Sequence, residues 1–202
     1  MKGDPKHPAL RFVRGLVFSK GAFLMNKNMD LLNLILDRRS CKEYRSEALD
    51  RPTLAAIVEA GRYAPSGMNR QMNHFYVITD PQVLAGISAL VSEKLPGFAQ
   101  RDCRYAAPAL VVVANRKENP NALQDASCAM ENMMLAACAV GVASRWINQP
   151  YALSDDPDLR VLIGVGEEER ICASLALGYP AGPLYPGRVE RTGNPVTWVA
   201  AK

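Results

Sequence analysis

The 202-residue chain has few of the side chains on which hydrolytic and metal-dependent chemistry depends. It has two histidines, His7 and His74, and neither lies at metal-ligand spacing from a cysteine or carboxylate, so no metal site is predicted. The absence of G-x-x-x-x-G-K-[S/T] excludes a P-loop nucleotidase. Ser66 lacks the G-x-S-x-G context of a nucleophile elbow. Gly164 and Gly166 lack the third glycine of a dinucleotide loop and run into three glutamates, which favours a simple helix exit.

The chain also lacks the marks of a secreted or membrane-spanning protein. Its five cysteines are odd in number and include no C-x-x-C pair, which favours a reducing compartment, and we expect a cytoplasmic protein. No stretch approaches the roughly 18 consecutive apolar residues of a spanning helix. A composition with 49% hydrophobic and 22% charged residues is typical of a globular domain.

Positive charge is concentrated at the start of the chain. The segment 1–28 contains six of the 24 Lys and Arg residues but only one of the 20 acidic residues. This segment therefore carries a net charge of +5, and the remainder carries −1. A near-neutral body does not indicate nucleic-acid binding. Apolar residues spaced from Leu10 to Val17 are compatible with a membrane-surface or targeting helix, with a partner-docking arm, or with a leader of no fixed structure. We divide the chain into a basic leader, 1–28, and one domain, 29–202.

The apolar pattern of the domain predicts an α+β fold with four or five strands. Helices are predicted at 29–39, from 52 to a loop at 65, and at 80–92, 123–140 and 155–163, and strands at 74–79, 109–113, 142–147 and 171–177. In the first helix we expect Leu31, Leu32, Leu34 and Ile35 to be largely buried. The helix at 123–140 is apolar on nearly all sides, which suggests a subunit interface. Several prolines after Gly178 favour an extended arm.

Cations are clustered just after the first predicted helix, in the sequence Arg38-Arg39-Ser40-Cys41-Lys42. Cations at this position balance the negative end of a helix dipole. They would also suit a phosphate clamp, because Arg can bind phosphate through two hydrogen bonds and Ser can add a third. Cys41 is interpreted as a bystander thiol, with a redox role as the alternative.

A second polar segment, Ala64-Pro65-Ser66-Gly67-Met68-Asn69-Arg70-Gln71, follows the second helix. The segment has an ordinary interpretation as a surface loop. Asn69 and Gln71 each present a donor and an acceptor, which suits the edge of a heterocycle. We therefore treat the loop as a candidate cofactor-binding segment.

Four blocks of sequence follow one another from Met29 to the end of the chain. They are Arg38-Arg39-Ser40; Ala64-Pro65-Ser66-Gly67-x-Asn69-x-Gln71; Glu131-Asn132-Met133-Met134-Leu135-Ala136-Ala137 with Gly141 and Trp146-Ile147; and Leu177-Gly178-Tyr179-Pro180 before a basic tail. Together they resemble the nitroreductase family. The resemblance implies a three-layer α+β fold with a central, mostly antiparallel sheet flanked by helices. It also implies an intertwined homodimer with two FMN sites, each lined by both subunits.

The resemblance implies FMN contacts position by position. The phosphate and ribityl side would be reached by Arg38, Arg39 and Ser40. Lys42 would lie near the pyrimidine carbonyl, where a cation stabilises the negative charge of the reduced flavin. The neighbouring subunit would supply Pro65, Ser66, Gly67 and Asn69, and Gln71 belongs to the same cofactor-binding block. The flavin ring would be flanked by Ile147 and Asn148, and one or both of Arg188 and Arg191 would return from the tail to the phosphate.

The implied function is that of an FMN-dependent oxidoreductase with ping-pong chemistry. Electrons would pass from NAD(P)H, or another reductant such as a reduced ferredoxin, to a small oxidised substrate such as a nitro compound, quinone or enone. The flavin supplies the redox chemistry, so no catalytic acid, base or nucleophile is required of the protein. One alternative is a non-catalytic dimer that binds flavin or another phosphorylated ligand. Another is a related flavin reaction, either ring dehydrogenation or reductive removal of a halogen, because one fold supports several reactions.

Overall fold

The computed structural model of the chain describes residues 31–199. The basic leader, 1–28, and the first two residues of the helix predicted at 29–39 lie outside the described residues. The helices are α1 (Leu31–Asp37), α2 (Arg51–Arg62), α3 (Pro81–Lys94), α4 (Ala122–Ala139), α5 (Gln149–Ala152) and α6 (Pro157–Ile163). The strands are β1 (His74–Ile78), β2 (Ala109–Arg116), β3 (Ala143–Ile147) and β4 (Glu169–Gly178). Every predicted element is present, and α5 is an additional short helix that was not predicted.

Three helices begin with the same local signal, an aspartate followed within two residues by proline. The Oδ1 atom of Asp50 accepts from Thr53 N at 2.7 Å, and that of Asp80 accepts from Gln82 N at 2.7 Å. Asp156 caps α6 in the same way. The aspartate side chain accepts a hydrogen bond from a first-turn amide that has no acceptor within the helix, and proline fixes the backbone angle φ at the start of the helix. Because Asp156 is the cap, α6 begins two residues later than the predicted start at 155.

The four strands form one antiparallel sheet in the order β1-β2-β4-β3. Strand β2 is buried from Ala109 to Asn115, which explains its continuous apolar sequence. Its side chains alternate between two cores: Val111 and Val113 pack with α2 and α4, whereas Leu110 and Val112 pack with α3 and α6. Helices therefore cover both faces of the sheet, and the predicted three-layer α+β architecture is confirmed.

Helix α1 differs from its prediction in burial. Leu34 is buried, but Leu31, Leu32 and Ile35 are 68%, 63% and 44% exposed. The expectation that all four are largely buried is therefore wrong for three of them in the single chain. The helix has seven residues and packs with one side on α4, so its other side is not covered by residues 31–199.

After β4 the described chain continues without helix or strand from Tyr179 to Val199, as predicted for an extended arm. Pro180 forms an isolated bridge with Tyr44, and the hydroxyl of Tyr185 donates to the carbonyl oxygen of Cys138 at 2.8 Å. These contacts hold the first part of the arm against the segment around Tyr44 and the end of α4. Among residues 31–199, no helix is both long and apolar enough to cross a membrane.

Candidate functional site

The clustered arginines lie directly after the carboxyl end of α1. The Nη1 atom of Arg39 donates to the carbonyl oxygens of Leu36, at 2.8 Å, and Arg38, at 2.7 Å. Arg39 therefore satisfies terminal helix carbonyls, which is the structural role that cations have at this position. Arg38 is directed to α4, where its Nε atom lies 3.8 Å from the Glu131 carboxylate, too far for a hydrogen bond. The side chain of Arg38 is 21% exposed and so remains accessible from solvent.

The rest of the cluster adjoins strand β3. Ser40 forms a parallel bridge with Ser144, and Cys41 N donates to the carbonyl oxygen of Ser144 at 3.0 Å. Ser40 and Lys42 are exposed, and the thiol of Cys41 donates to the carbonyl oxygen of Glu43 at 3.1 Å. The cluster is thus fixed by its backbone, while its hydroxyl and ammonium groups face outward.

Strand β3 leads from this bridge to Ile147 and Asn148. The carbonyl oxygen of Ile147 accepts from the buried hydroxyl of Ser174 at 2.7 Å, and Asn148 Oδ1 accepts from Trp146 Nε1 at 2.7 Å. Ile147 is buried and Asn148 is exposed. The end of β3 is therefore held in one conformation, three residues beyond its bridge to the cation cluster at Ser144.

The tail brings one further arginine to the cluster. Arg188 Nε donates to Asp37 Oδ1 at 2.6 Å, and its Nη2 atom donates to Asn33 Oδ1. Asp37 immediately precedes Arg38 in the chain. Arg191, the other tail candidate, is exposed. Of the two tail arginines, Arg188 is thus the one hydrogen-bonded to α1.

The loop from Pro65 to Gln71 has an unusual backbone. Met68, Asn69 and Gln71 each have φ of 54°, in the left-handed region that residues other than glycine rarely adopt. Gln71 N donates to Ser66 Oγ at 3.0 Å, and Gln71 Nε2 donates to Asn69 Oδ1 at 3.1 Å. These bonds hold a strained conformation in which the predicted amide side chains are exposed.

A buried polar network lies beneath this loop, and sequence reasoning missed it. Asp125, in the first turn of α4, is 4% exposed, and its Oδ1 atom accepts from Gly67 N at 2.9 Å. Its Oδ2 atom accepts from the amide of Asn119 at 3.0 Å. Asn119 also donates to Asn115, which donates to Asn73, and Asn73 donates to the carbonyl oxygen of Asp125. The one sequence signal that could have indicated it is a carboxylate in the first turn of a largely apolar helix.

Within one chain the two groups of predicted residues contact different parts of α4. The cation cluster contacts it through Arg38 and Glu131, whereas the loop contacts it through Gly67 and Asp125. The structure brings the start of β3 to Ser40 and Cys41, and it brings Arg188 to Asp37, the residue before Arg38. It does not join the loop residues Pro65, Ser66, Gly67, Asn69 and Gln71 to the cation cluster in the same chain.

A separate polar cluster surrounds Glu169 at the start of β4, beside a shallow cavity of about 470 Å³. Glu169 accepts from the hydroxyl of Tyr76 at 2.5 Å and pairs with His74 Nδ1 at 3.0 Å. Burial alone would raise the pKa of Glu169, but these hydrogen bonds outweigh it and hold the pKa below its usual value. Burial, followed by the bond to Glu169, raises the pKa of Tyr76 to about 12. This cluster joins side chains of β1 and β4 across the intervening strand β2, and it lies outside the predicted site.

The family whose sequence pattern matches residues 35–179, most of the chain, is described as the nitroreductase family. The chain belongs to the nitroreductase family. It is therefore an oxidoreductase, and the family expectation drawn from its four sequence blocks is confirmed.

Individual nitroreductases resemble the chain over most of its length. The protein described as NAD(P)H nitroreductase YdjA of Escherichia coli K12 is 32% identical over 165 residues, covering 75% of this chain and 89% of its own. The crystal structure of a nitroreductase with bound FMN from Bacteroides fragilis NCTC 9343 superposes with a TM-score of 0.78 at 34% identity, covering 85% of this chain and all of that one. Iodotyrosine deiodinase, crystallised with FMN and 3-iodo-L-tyrosine, shares the fold with a TM-score of 0.70 at 22% identity, covering 85% of this chain and all of that one.

Proposed function

We propose that this nitroreductase family member binds FMN and works as a homodimer. It would transfer electrons from a reduced nicotinamide to a small oxidised substrate such as a nitro compound, a quinone or an enone. The observation that carries the proposal is the convergence of three distant segments at one place. The start of β3 bridges Ser40, just after α1, and the tail arginine Arg188 donates to Asp37, the last residue of α1 and the neighbour of Arg38.

The residues at this place fit a phosphorylated ligand in their chemistry. Two guanidinium groups, a hydroxyl and an ammonium lie within five positions, from Arg38 to Lys42. The Nε atom of Arg39 is buried and has no acceptor among the residues from 31 to 199. An unpaired buried N–H is costly, and an oxygen atom from outside the chain would satisfy it.

Each group would have a distinct task toward FMN. Arg38, Arg39 and Ser40 would hold the phosphate end through charge-assisted hydrogen bonds. Lys42 would place a positive charge near the pyrimidine ring, and Ile147 with Asn148 would flank the ring system. When bound, FMN would supply the redox chemistry by accepting a hydride equivalent from the donor and returning it to the acceptor. The protein would bind, orient and charge-balance the cofactor.

The homodimer is supported by surfaces that residues 31–199 of one chain leave uncovered. Leu31, Leu32 and Ile35 form an apolar patch on α1, and α4 exposes a stripe of mostly small or polar side chains that includes Ser127, Cys128 and Glu131. A cluster of exposed apolar side chains such as that on α1 is typical of a protein interface. A second chain would also supply the loop 65–71 to the cation cluster, which its own loop does not contact.

The test is to purify the protein, quantify bound FMN per chain and titrate it anaerobically. We expect one FMN per chain, loss of the oxidised flavin absorbance on addition of NADH or NADPH, and recovery on addition of a nitro compound or quinone. Initial rates with both substrates varied should give parallel reciprocal plots, as ping-pong kinetics require. Sedimentation equilibrium should give twice the 22.1 kDa of one chain.

Two results would contradict the proposal in different ways. A protein that binds no FMN when refolded with excess cofactor would refute the flavin site. If the protein is yellow and is reduced by a reduced ferredoxin but by neither NADH nor NADPH, the flavin site stands and the reduced nicotinamide is refuted as the donor.

A further inference from the structure

Asp125 contacts both ends of the loop that the proposed function assigns to FMN. Its carboxylate accepts from the main-chain N–H of Gly67 at 2.9 Å, at the start of the loop. Its main-chain carbonyl accepts from the side chain of Asn73 at 3.0 Å, just after the loop ends. We infer that Asp125 is a positioning residue that sets the conformation of loop 65–71 for flavin binding. This inference rests on the proposed function.

The hydrogen-bond network around Asp125 is buried and closed, as expected of residues that fix the conformation of a loop. Asn115, Asn119 and Asp125 are 0%, 2% and 4% exposed, so their hydrogen bonds do not compete with bulk water. The side chains of Asn119, Asn115 and Asn73 link the Asp125 carboxylate to its own main-chain carbonyl in a closed ring. Each side-chain oxygen in this ring accepts a hydrogen bond. The ring therefore has one arrangement of donors and acceptors, which favours one loop conformation.

A carboxylate at position 125 is needed because both of its oxygens accept. An asparagine side chain there offers one oxygen and one NH₂ group. Its oxygen can still accept from Gly67, but its NH₂ group then faces the NH₂ group of Asn119, where two donors oppose each other. Asp125→Asn keeps the shape and removes one contact, whereas Asp125→Ala removes both.

The loop depends on this support because its backbone is strained. Three residues with φ of 54° lie within four positions, and none of them is glycine. Such a backbone persists only when surrounding contacts hold it. Gly67 itself must approach α4 closely, since a Cβ atom there would lie 2.4 Å from Asn121 Nδ2. Without the bond to Asp125, the loop would relax from the conformation that presents Asn69 and Gln71.

The experiment compares wild type, Asp125→Asn, Asp125→Ala and the matched control Asp155→Asn, which makes the same chemical change at an exposed position. FMN affinity is measured by flavin fluorescence on reconstitution of the apoprotein. Hydrogen exchange of segment 65–73 is followed by mass spectrometry, with α3 as the internal reference. We expect the Kd for FMN to rise about tenfold to a hundredfold in Asp125→Ala, to rise less in Asp125→Asn, and to stay unchanged in Asp155→Asn. Exchange should accelerate in the loop and not in α3.

The outcomes separate this inference from the proposed function. A wild-type protein that binds no FMN overturns both. A wild-type protein that binds FMN, with both Asp125 variants binding it within twofold of wild type, overturns the positioning role alone. Unchanged loop exchange in Asp125→Ala, which removes the bond to Gly67, also overturns it. If Asp125→Ala fails to fold, Asp125→Asn decides the question, because it preserves side-chain volume and one of the two hydrogen bonds.

Discussion

Replacing Arg38 by alanine is the most direct test of the cation cluster. The Arg38 guanidinium lies 3.8 Å from the carboxylate of Glu131, too far for a hydrogen bond, so its donors are available to a phosphate. Loss of one charge-assisted hydrogen bond costs about 1.5–3 kcal/mol. That corresponds to a Kd for FMN raised about tenfold to 150-fold. Because the contact is ionic, the variant should also bind FMN with a weaker dependence on salt.

The measurement is a titration of apoprotein with FMN at two ionic strengths, with Arg51→Ala as the matched control. Arg51 is an exposed arginine on α2, so its removal changes net charge equally without touching the cluster. Glu131→Gln should not weaken binding, because it removes a carboxylate that competes with phosphate for Arg38. An Arg38→Ala protein with wild-type affinity for FMN at both ionic strengths would refute the assignment.

Three further predictions concern stability. Burial raises the pKa of Glu169, but its two side-chain donors outweigh burial and lower that pKa. The ionised Glu169 therefore stabilises the fold above its usual pKa of 4.5, and this stabilisation is lost as pH falls through the lowered pKa. In urea titrations, Glu169→Gln should lose less unfolding free energy than wild type between about pH 5 and pH 3. Gly178→Ala should cost about 1–3 kcal/mol in the same assay, because its Cβ would lie 2.7 Å from a proline ring carbon, whereas Gly182→Ala, with open space around it, should be neutral. Asp80→Ala should lower the unfolding free energy by about 1 kcal/mol through loss of the α3 cap, measured by thermal and urea denaturation.

The layered fold was predictable because its signals are local. Strand β2 shows a continuous apolar run because both of its faces are buried. Aspartate with proline marked the start of α3 because the same residues cap and preset the first turn. Helix α5 was missed because four residues are too few for a periodic pattern.

Features that depend on distant partners were not predictable. The burial of α1 depends on what covers Leu31 and Leu32 from beyond residues 31–199, and no pattern in one sequence distinguishes an internal core from an interface. Asp125 and Gly67 are 58 positions apart, so their hydrogen bond had no sequence signature. The choice between Arg188 and Arg191 depended on the path of an irregular tail. The assignment of individual residues to FMN contacts stays a prediction.

Helix α4 links the two halves of the proposed site mechanically. Its contacts at Asp125 and Glu131 are six residues apart, so a rigid helix separates them by about 9 Å along its axis. In a dimer, those two points would serve two different cofactors, one through the arginine cluster and one through the loop. A shift of this helix by a substitution on its exposed stripe would therefore alter the occupancy of both cofactor sites together.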